Sequence, residues 1–335
     1  MKHISLFNQE SPMEELPQTA SMLGLGKLFV KRDDMLTPEF GGCKVRNLNR
    51  QFTHALENGA DTLLMAARVG SNAVAAASLF AKKYGLRVSA ILKPQVVSYT
   101  CRFNLEIIAA AGTEIIPVPA GTLLHSKSPT VTREMTRLTS EGRRPQFVGF
   151  GGGDIQAALA QASAVKEMWM QIKSNGIEEL EKIYVAGASF STAAGMAAGL
   201  SLLGIKSKLV IVGLAHEDAP DDHFFNKANE AAKLANVEWG NTTDHNMPID
   251  APQFHCAFKE AFGEITEPLQ IESLDEVKAL QLDPVYTRKA FSYMMQDAGQ
   301  HAGKNCLFWH TGNSRPWPEY LIRPELEATL SALLI

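Results

Sequence analysis

The chain has 335 residues, 45% of them apolar and 20% charged, which exceeds one ordinary domain and excludes a disordered or fibrous protein. Lys and Arg number 32 against 36 Asp and Glu, a net charge of −4, so there is no basic surplus for a phosphate backbone or an anionic membrane. Nucleic acid is therefore not an expected partner. The cysteines, Cys43, Cys101, Cys256 and Cys306, stand far apart with no CxxC pair and no zinc-finger spacing, so no metal site is expected and the chain reads as cytoplasmic. The N-terminal segment lacks an apolar signal core, and no apolar run reaches roughly eighteen residues. Export and membrane insertion are not expected.

From about residue 45, short apolar runs alternate with longer helical patterns, the mark of βα units and a largely parallel sheet. Val45, Leu48, Phe52 and Leu56 recur at helical spacing, and Asn58-Gly59 ends that helix. A strand is expected over 62–67, an Ala-rich helix over 72–84 closed by Gly85, and a strand over 87–92. A helix at 102–111, a strand at 114–118, a polar helix at 130–141 and a strand at 146–150 complete this half. Gly151-Gly152-Gly153 breaks the pattern, and Asp154 is placed to cap a long helix running to Asn175-Gly176. Beyond that point strands are expected at 182–186, 208–213 and 305–309, with a small-residue helix at 192–203 and another at 288–299. The stretch 216–272 mixes turn signals with weak helices and has no clear period.

Ligands of open α/β sheets collect where strands run into helix N-termini, and four such loops stand out. In Phe40-Gly41-Gly42-Cys43-Lys44 the glycines allow close backbone approach, and the lysine opens a helix. An ammonium there faces the positive end of the helix dipole, which favours the neutral amine and hence a nucleophile or Schiff-base former; a solvated surface lysine after a glycine turn is the alternative. Ser71 and Asn72 follow a buried strand and suit an N-cap as well as a ligand. Ala188, Ser189, Phe190, Ser191 and Thr192 follow another strand, where free amides and hydroxyls suit a phosphate monoester, or simply a tight helix entry. The loop lacks both the Walker pattern and the dinucleotide glycine fingerprint. In Leu282-Asp283-Pro284-Val285-Tyr286-Thr287, Tyr286 can stack on a planar ring, and Thr287 can donate to a ring nitrogen or act as a cap.

Together the segments LFVKRDDMLTPEFGGCKVRNL, GSN, GASFSTAAG, LDPVYTRKA and LFWHTG, in order from Leu28 to Gly312, resemble the set found in pyridoxal-phosphate enzymes of the tryptophan synthase β-like fold, fold type II. The resemblance is closest to the branch holding D-cysteine desulfhydrase and 1-aminocyclopropane-1-carboxylate deaminase. It implies an α/β fold of two open, twisted, mostly parallel sheets with flanking helices. A large domain of residues 1–46 and 156–335 would carry a smaller inserted domain, 47–155, with the cofactor between them. By the same resemblance Lys44 would join pyridoxal 5'-phosphate through its amine, Asn72 would bond the cofactor's phenolic oxygen, and residues Ala188 to Thr192 would hold the phosphate. Ser71 would bind the substrate carboxylate, Tyr286 would lie against the ring near the substrate, and Thr287 would face the ring nitrogen. Cys43, Gly70, Ala73, Phe190, Ser191 and Arg288 depart from the residues usual at those positions.

The implied activity is that of a lyase acting on a small amino acid by β-elimination, giving a 2-keto acid and ammonia, in the manner of D-cysteine desulfhydrase. Lys44 would remove the α-proton. The deaminase branch carries Glu opposite the ring nitrogen, so a hydroxyl at Thr287 points to the desulfhydrase side. Deamination of the cyclopropane amino acid and cofactor binding without turnover are the alternatives. A homodimer is the assembly the resemblance implies.

Overall fold

The computed structural model describes residues 4–95, 98–214, 220–241, 248–257 and 274–314. Part of the aperiodic stretch 216–272 lies outside them. The elements begin with β1 (Met13–Glu15), α1 (Pro17–Leu23), β2 (Lys27–Lys31) and α2 (Cys43–Glu57). The next group is β3 (Thr62–Arg68), α3 (Asn72–Ala81), β4 (Arg87–Lys93), α4 (Tyr99–Ala110), β5 (Glu114–Pro117), α5 (Pro129–Ser140) and β6 (Pro145–Val148). Then come α6 (Ile155–Ser174), β7 (Lys182–Gly187), α7 (Ser191–Leu202), β8 (Lys208–Gly213), α8 (Asp222–Glu238) and β9 (Gln253–Cys256). The last are α9 (Asp275–Lys278), α10 (Thr287–Ala298) and β10 (Asn305–Trp309). Among the described residues, contacts divide the chain into a unit of residues 4–6 and Lys44–Ala157, and a unit of Phe7–Cys43 and 158–314.

The first unit is built on a four-stranded sheet in the order β5-β4-β3-β6, parallel throughout. Its central strand β3 is covered on both faces, so Leu63, Leu64, Met65, Ala66 and Ala67 are all buried and read as an unbroken apolar run instead of an alternating one. Ser71 caps α3, accepting the Val74 N–H at 3.4 Å, and a short 3-10 turn at Lys82–Tyr84 carries the helix to the left-handed Gly85. Helix α4 begins three residues before the expected start at 102, because Ser98 caps it through the Cys101 N–H at 3.1 Å. Asp154 accepts the Ala157 N–H at 2.9 Å, the cap its position at the head of α6 calls for.

The second unit carries a six-stranded sheet in the order β1-β2-β10-β7-β8-β9, in which only β1 runs antiparallel. Period-2 alternation divides its strands between two cores. Phe29, Ile183, Val185, Ile211, Leu307 and Trp309 pack with residues of α6, α7 and α8. Leu28, Val30, Tyr184, Val210, Val212 and Phe308 pack with α1 and α10. At the strand ends, Lys182 Nζ and the Tyr184 hydroxyl donate to Asp297 Oδ2 at 2.7 and 2.8 Å in a buried cluster. Burial acts upward on the Asp297 carboxyl, but those bonds outweigh it and hold the group below its ordinary range.

Strand β2 and helix α8 lie outside the sequence expectations. In β2 the alternating pattern is masked by Lys31, which is completely buried and donates to Ser11 C=O and to Gln171 Oε1, each at 2.7 Å. Helix α8 opens on Asp221, which caps the His223 and Phe224 N–H groups inside a run that reads as turn-forming. No helix among the described residues is long and apolar enough to cross a membrane.

Candidate active site

In the second unit the turn preceding Lys44 is fixed atom by atom. Gly41 N–H donates to Asn313 Oδ1 at 2.8 Å, Gly42 N–H to Asp33 C=O at 2.8 Å, and Cys43 N–H to Thr311 C=O at 3.1 Å. A Cβ on Gly41 would stand 1.8 Å from Asp34 O, and one on Gly42, where φ is +93°, would stand 2.5 Å from Thr311 O. Both glycines are required by space, and Gly42 by backbone conformation as well. Asp34 is held in turn by a two-pronged bond from Arg32, at 2.9 and 2.8 Å, and by Ser314 Oγ at 2.6 Å. Lys44, half-buried, is the second residue of the helix that leaves this turn.

Helix α7 starts nearby in the same unit, its Thr192 hydroxyl 3.7 Å from Cys43 Sγ. No side chain caps it, and its first helical bond is Ala194 N–H to Phe190 C=O, so the amides of Ser191, Thr192 and Ala193 precede the ladder. Phe190 sits at φ +56° and ψ −1°. That left-handed backbone is one a non-glycine residue rarely adopts. The ring explains the departure: it packs edge-on against Phe254, with centroids 5.9 Å apart, and lies over Gly187, where a Cβ would meet Phe190 Cδ1 at 3.1 Å. That packing offsets a left-handed backbone costing about 1–2 kcal/mol. A left-handed residue followed by right-handed ones is also the alternation that turns successive N–H groups toward one point, so the loop retains an anion-binding form. Lys227 of α8 donates to Ser191 Oγ at 2.8 Å, bringing a cation to the same helix start. Nothing in the local sequence signals it, because it lies a strand and a loop downstream.

Thr287 opens α10, completely buried. Its hydroxyl donates to Asp283 Oδ2 at 2.7 Å and accepts the Asp283 N–H at 2.8 Å. The same carboxylate takes the N–H groups of Val285, Tyr286 and Thr287 at 3.1, 2.7 and 3.0 Å. Asp283, and not Thr287, is thus the cap of this helix. The proton of Thr287 is committed to a carboxylate, so the hydroxyl cannot donate outward, as the sequence reading allowed; it can only accept. Gly312 closes over this group, its missing Cβ 2.8 Å from Asp283 Oδ2 and 3.0 Å from Thr287 Cγ2. Tyr286 is half-buried and packs on the α1/α10 core.

Ser71 and Asn72, like Lys44, belong to the first unit; they stand half-buried at the carboxyl end of β3. Asn104, fully buried on α4, donates through Nδ2 to Gly70 C=O and to Asn72 Oδ1, each at 2.9 Å. A backbone carbonyl can only accept, so Gly70 fixes which end of the Asn104 amide faces the loop. Asn72 must then present its oxygen to Asn104, and its NH₂ group is left as the donor. Two departures from the usual family residues also find their reason here. A Cβ at Gly70 would meet Gln95 Nε2 at 2.6 Å and Cys101 Cα at 2.9 Å, and Ala73 packs where Gly152 leaves room for its Cβ. Burial pushes the Cys101 thiol up to about 11, which makes it inert at neutral pH.

Parallel sheets, with a glycine-turn lysine, an uncapped helix start and a buried hydroxyl–carboxylate pair, define a class of cofactor-dependent α/β enzymes. The chain matches the family described as pyridoxal-phosphate dependent enzymes over residues 4–312, and it belongs to that family. It is 32% identical to nocardicin C-9' epimerase of Nocardia uniformis subsp. tsuyamanensis over 308 residues, 90% of this chain and 91% of the relative. To D-cysteine desulfhydrase of Klebsiella pneumoniae (strain 342) it is 27% identical over 322 residues, 93% and 94% of the two chains. Its fold resembles the crystal structure of a 1-aminocyclopropane-1-carboxylate deaminase homologue with a TM-score of 0.76 at 26% identity, covering 99% of this chain and 96% of that one.

Proposed function

We propose that this protein is a lyase that uses pyridoxal 5'-phosphate to remove a β-substituent from a small amino acid, releasing a 2-keto acid and ammonia. The observation that carries the reading is the single run of contacts in the second unit, from the Gly41-Gly42 turn through Gly312 to Thr287 and through Cys43 to the start of α7. The donor set fits the cofactor. Lys44 supplies the amine that holds it covalently, and Asn72 supplies an NH₂ whose orientation Asn104 sets. Residues Ala188 to Thr192 supply amides and hydroxyls for the phosphate, with Lys227 adding charge.

When bound, pyridoxal phosphate spreads the negative charge that develops at the substrate's α-carbon into its ring. Lys44 would hold the cofactor through its Nζ and, as a free amine, would take the substrate's α-proton as general base. Ser71 still has its hydroxyl proton to give a substrate carboxylate, since its capping bond uses only an oxygen lone pair. Thr287 would offer the ring nitrogen only an acceptor, backed by Asp283, which would favour a protonated nitrogen. Tyr286 would lie beside the cofactor ring. The domain division proposed is 1–46 with 156–335 against 47–155, in a cytoplasmic homodimer.

A second reading, epimerisation at the α-carbon, is supported by the similarity to nocardicin C-9' epimerase and by the carboxylate-backed Thr287. It shares proton removal and differs in keeping the β-substituent. One experiment separates the readings: titrate the cofactor-loaded protein with D-cysteine, L-serine and 1-aminocyclopropane-1-carboxylate, following its spectrum and its products. Elimination predicts pyruvate with sulfide from D-cysteine, and ring-opening deamination predicts 2-oxobutyrate. Exchange of the α-proton with solvent, with inverted amino acid and no ammonia, would overturn elimination in favour of epimerisation.

A further inference from the structure

Arg68 and Lys93 close β3 and β4 as register partners in a parallel pair, and both are half-buried. Neighbouring strands run about 4.8 Å apart, so the first unit's sheet sets two cations side by side at its carboxyl end, three residues before Ser71. Arg68 Nη1 lies 3.4 Å from Pro94 C=O, which turns the guanidinium along the strand ends. Lys93 Nζ lies 5.8 Å from the ring centroid of Phe150, an aromatic 38% exposed in the turn after β6, the strand on the other side of β3. Among the described residues no carboxylate pairs with Lys93. The contrast within the unit is plain, since Arg137 and Arg143 are matched by Glu114, Glu134 and Glu141. Burial, and then the neighbouring Arg68 charge, pull the Lys93 ammonium below its ordinary range. Like charges held together at the ligand end of a parallel sheet are the arrangement expected where an anion docks.

We propose that Arg68, Lys93 and Phe150 form a specificity subsite for a carboxylate on the substrate's side chain, beyond the α-carboxylate assigned to Ser71. The inference rests on the proposed function, since it requires an amino-acid substrate at this sheet end. The subsite selects acidic over neutral side chains, with Lys93 and Arg68 pairing the anion and Phe150 screening it from water.

The test titrates the cofactor-loaded protein with both enantiomers of aspartate and glutamate and, in parallel, of asparagine and glutamine, reading the shift in the bound cofactor's absorbance. The acids are expected to bind about tenfold more tightly than the matched amides, the size of one charge-assisted hydrogen bond. Lys93→Met and Arg68→Met each erase that preference and leave amide binding and the unfolding temperature unchanged, while Lys93→Glu reverses it toward ornithine. Equal binding of acids and amides by the native protein would overturn the subsite, a result that needs no variant to fold. Equal weakening of both by Lys93→Met would also overturn it, by assigning the cations to the α-carboxylate. A spectrum unmoved by every amino acid would instead overturn the proposed function and the subsite with it.

Discussion

Asn104→Asp replaces one buried amide by a group of the same shape and reverses one hydrogen-bonding end. In the native protein Asn104 Nδ2 serves two acceptors, Gly70 C=O and Asn72 Oδ1, both at 2.9 Å. A carboxylate oxygen in its place meets two lone pairs. Gly70 cannot respond, but the Asn72 amide can turn over and donate to the new carboxylate, which points its own oxygen where the cofactor's phenolic oxygen needs a donor. Two bonds worth about 1 kcal/mol each are lost and one is regained, and a buried acceptor stays unpaired, so the fold should lose about 2–3 kcal/mol. For a protein of this size that is a fall of roughly 3–4 °C in unfolding temperature. The loss of a hydrogen bond to a charged oxygen should weaken cofactor binding about tenfold or more. Apoprotein titrated with pyridoxal 5'-phosphate, followed by absorbance, gives the affinity, and the pH titration of the bound cofactor's band reports the phenolic oxygen directly. Asn104→Leu, which removes both bonds without imposing a flip, should show the stability loss with a smaller effect on the cofactor. A folded Asn104→Asp protein with native affinity and a native pH titration would refute the orientation argument.

Lys44→Ala should abolish the visible absorbance of the covalently held cofactor while leaving the fold intact; a native spectrum in that variant would count against the assignment. Thr287→Val keeps the shape of a completely buried residue but leaves the Asp283 N–H without its acceptor and the Asp283 carboxylate one donor short. It should cost about 2–4 kcal/mol of stability and slow α-proton exchange, measured in deuterated buffer. Lys227→Met removes the cation at Ser191 and should weaken binding of the phosphorylated cofactor about tenfold while leaving that of unphosphorylated pyridoxal unchanged; equal effects on both would place Lys227 outside the phosphate contact. Asp297 titrates below its ordinary value in the fold, so its stabilisation is fully present above the unfolded carboxylate's range and is lost as the pH falls through the folded value. Asp297→Asn should therefore flatten the acid limb of a stability profile, below about pH 4, while costing about 3 kcal/mol at neutral pH by removing the counter-charge of Lys182, which keeps its bond to Gln253. An acid limb as steep as the native one would show that other carboxylates set it.

The parallel sheets were legible because their central strands are continuous apolar runs bounded by glycine and asparagine, as in Thr62–Arg68 and Lys208–Gly213. The residues that make the site work through a partner were not. Asn104, Asp283 and Lys227 act on Asn72, Thr287 and Ser191 through the folded chain, and each reads in isolation as an ordinary polar position. Strand β2 was hidden for a related reason, since its buried Lys31 looks solvent-facing until Ser11 and Gln171 are seen to enclose it. Asp283 shows how near the reading came: it lies within the quoted segment LDPVYTRKA, but its use as the cap and as the acceptor of the Thr287 proton appears only when the turn closes.

The left-handed corner at Phe190 bears on how such proteins are recognised. Glycine is the usual tenant of that backbone state, and a search keyed to glycine letters would pass over this loop although its amides keep the form an oxyanion needs. Replacing Phe190 with glycine would relax the corner yet strip the aromatic lid from Gly187 and Phe254, so the two effects oppose one another. Shape, maintained here by a bulky ring, can persist after the letters that ordinarily announce it have drifted away.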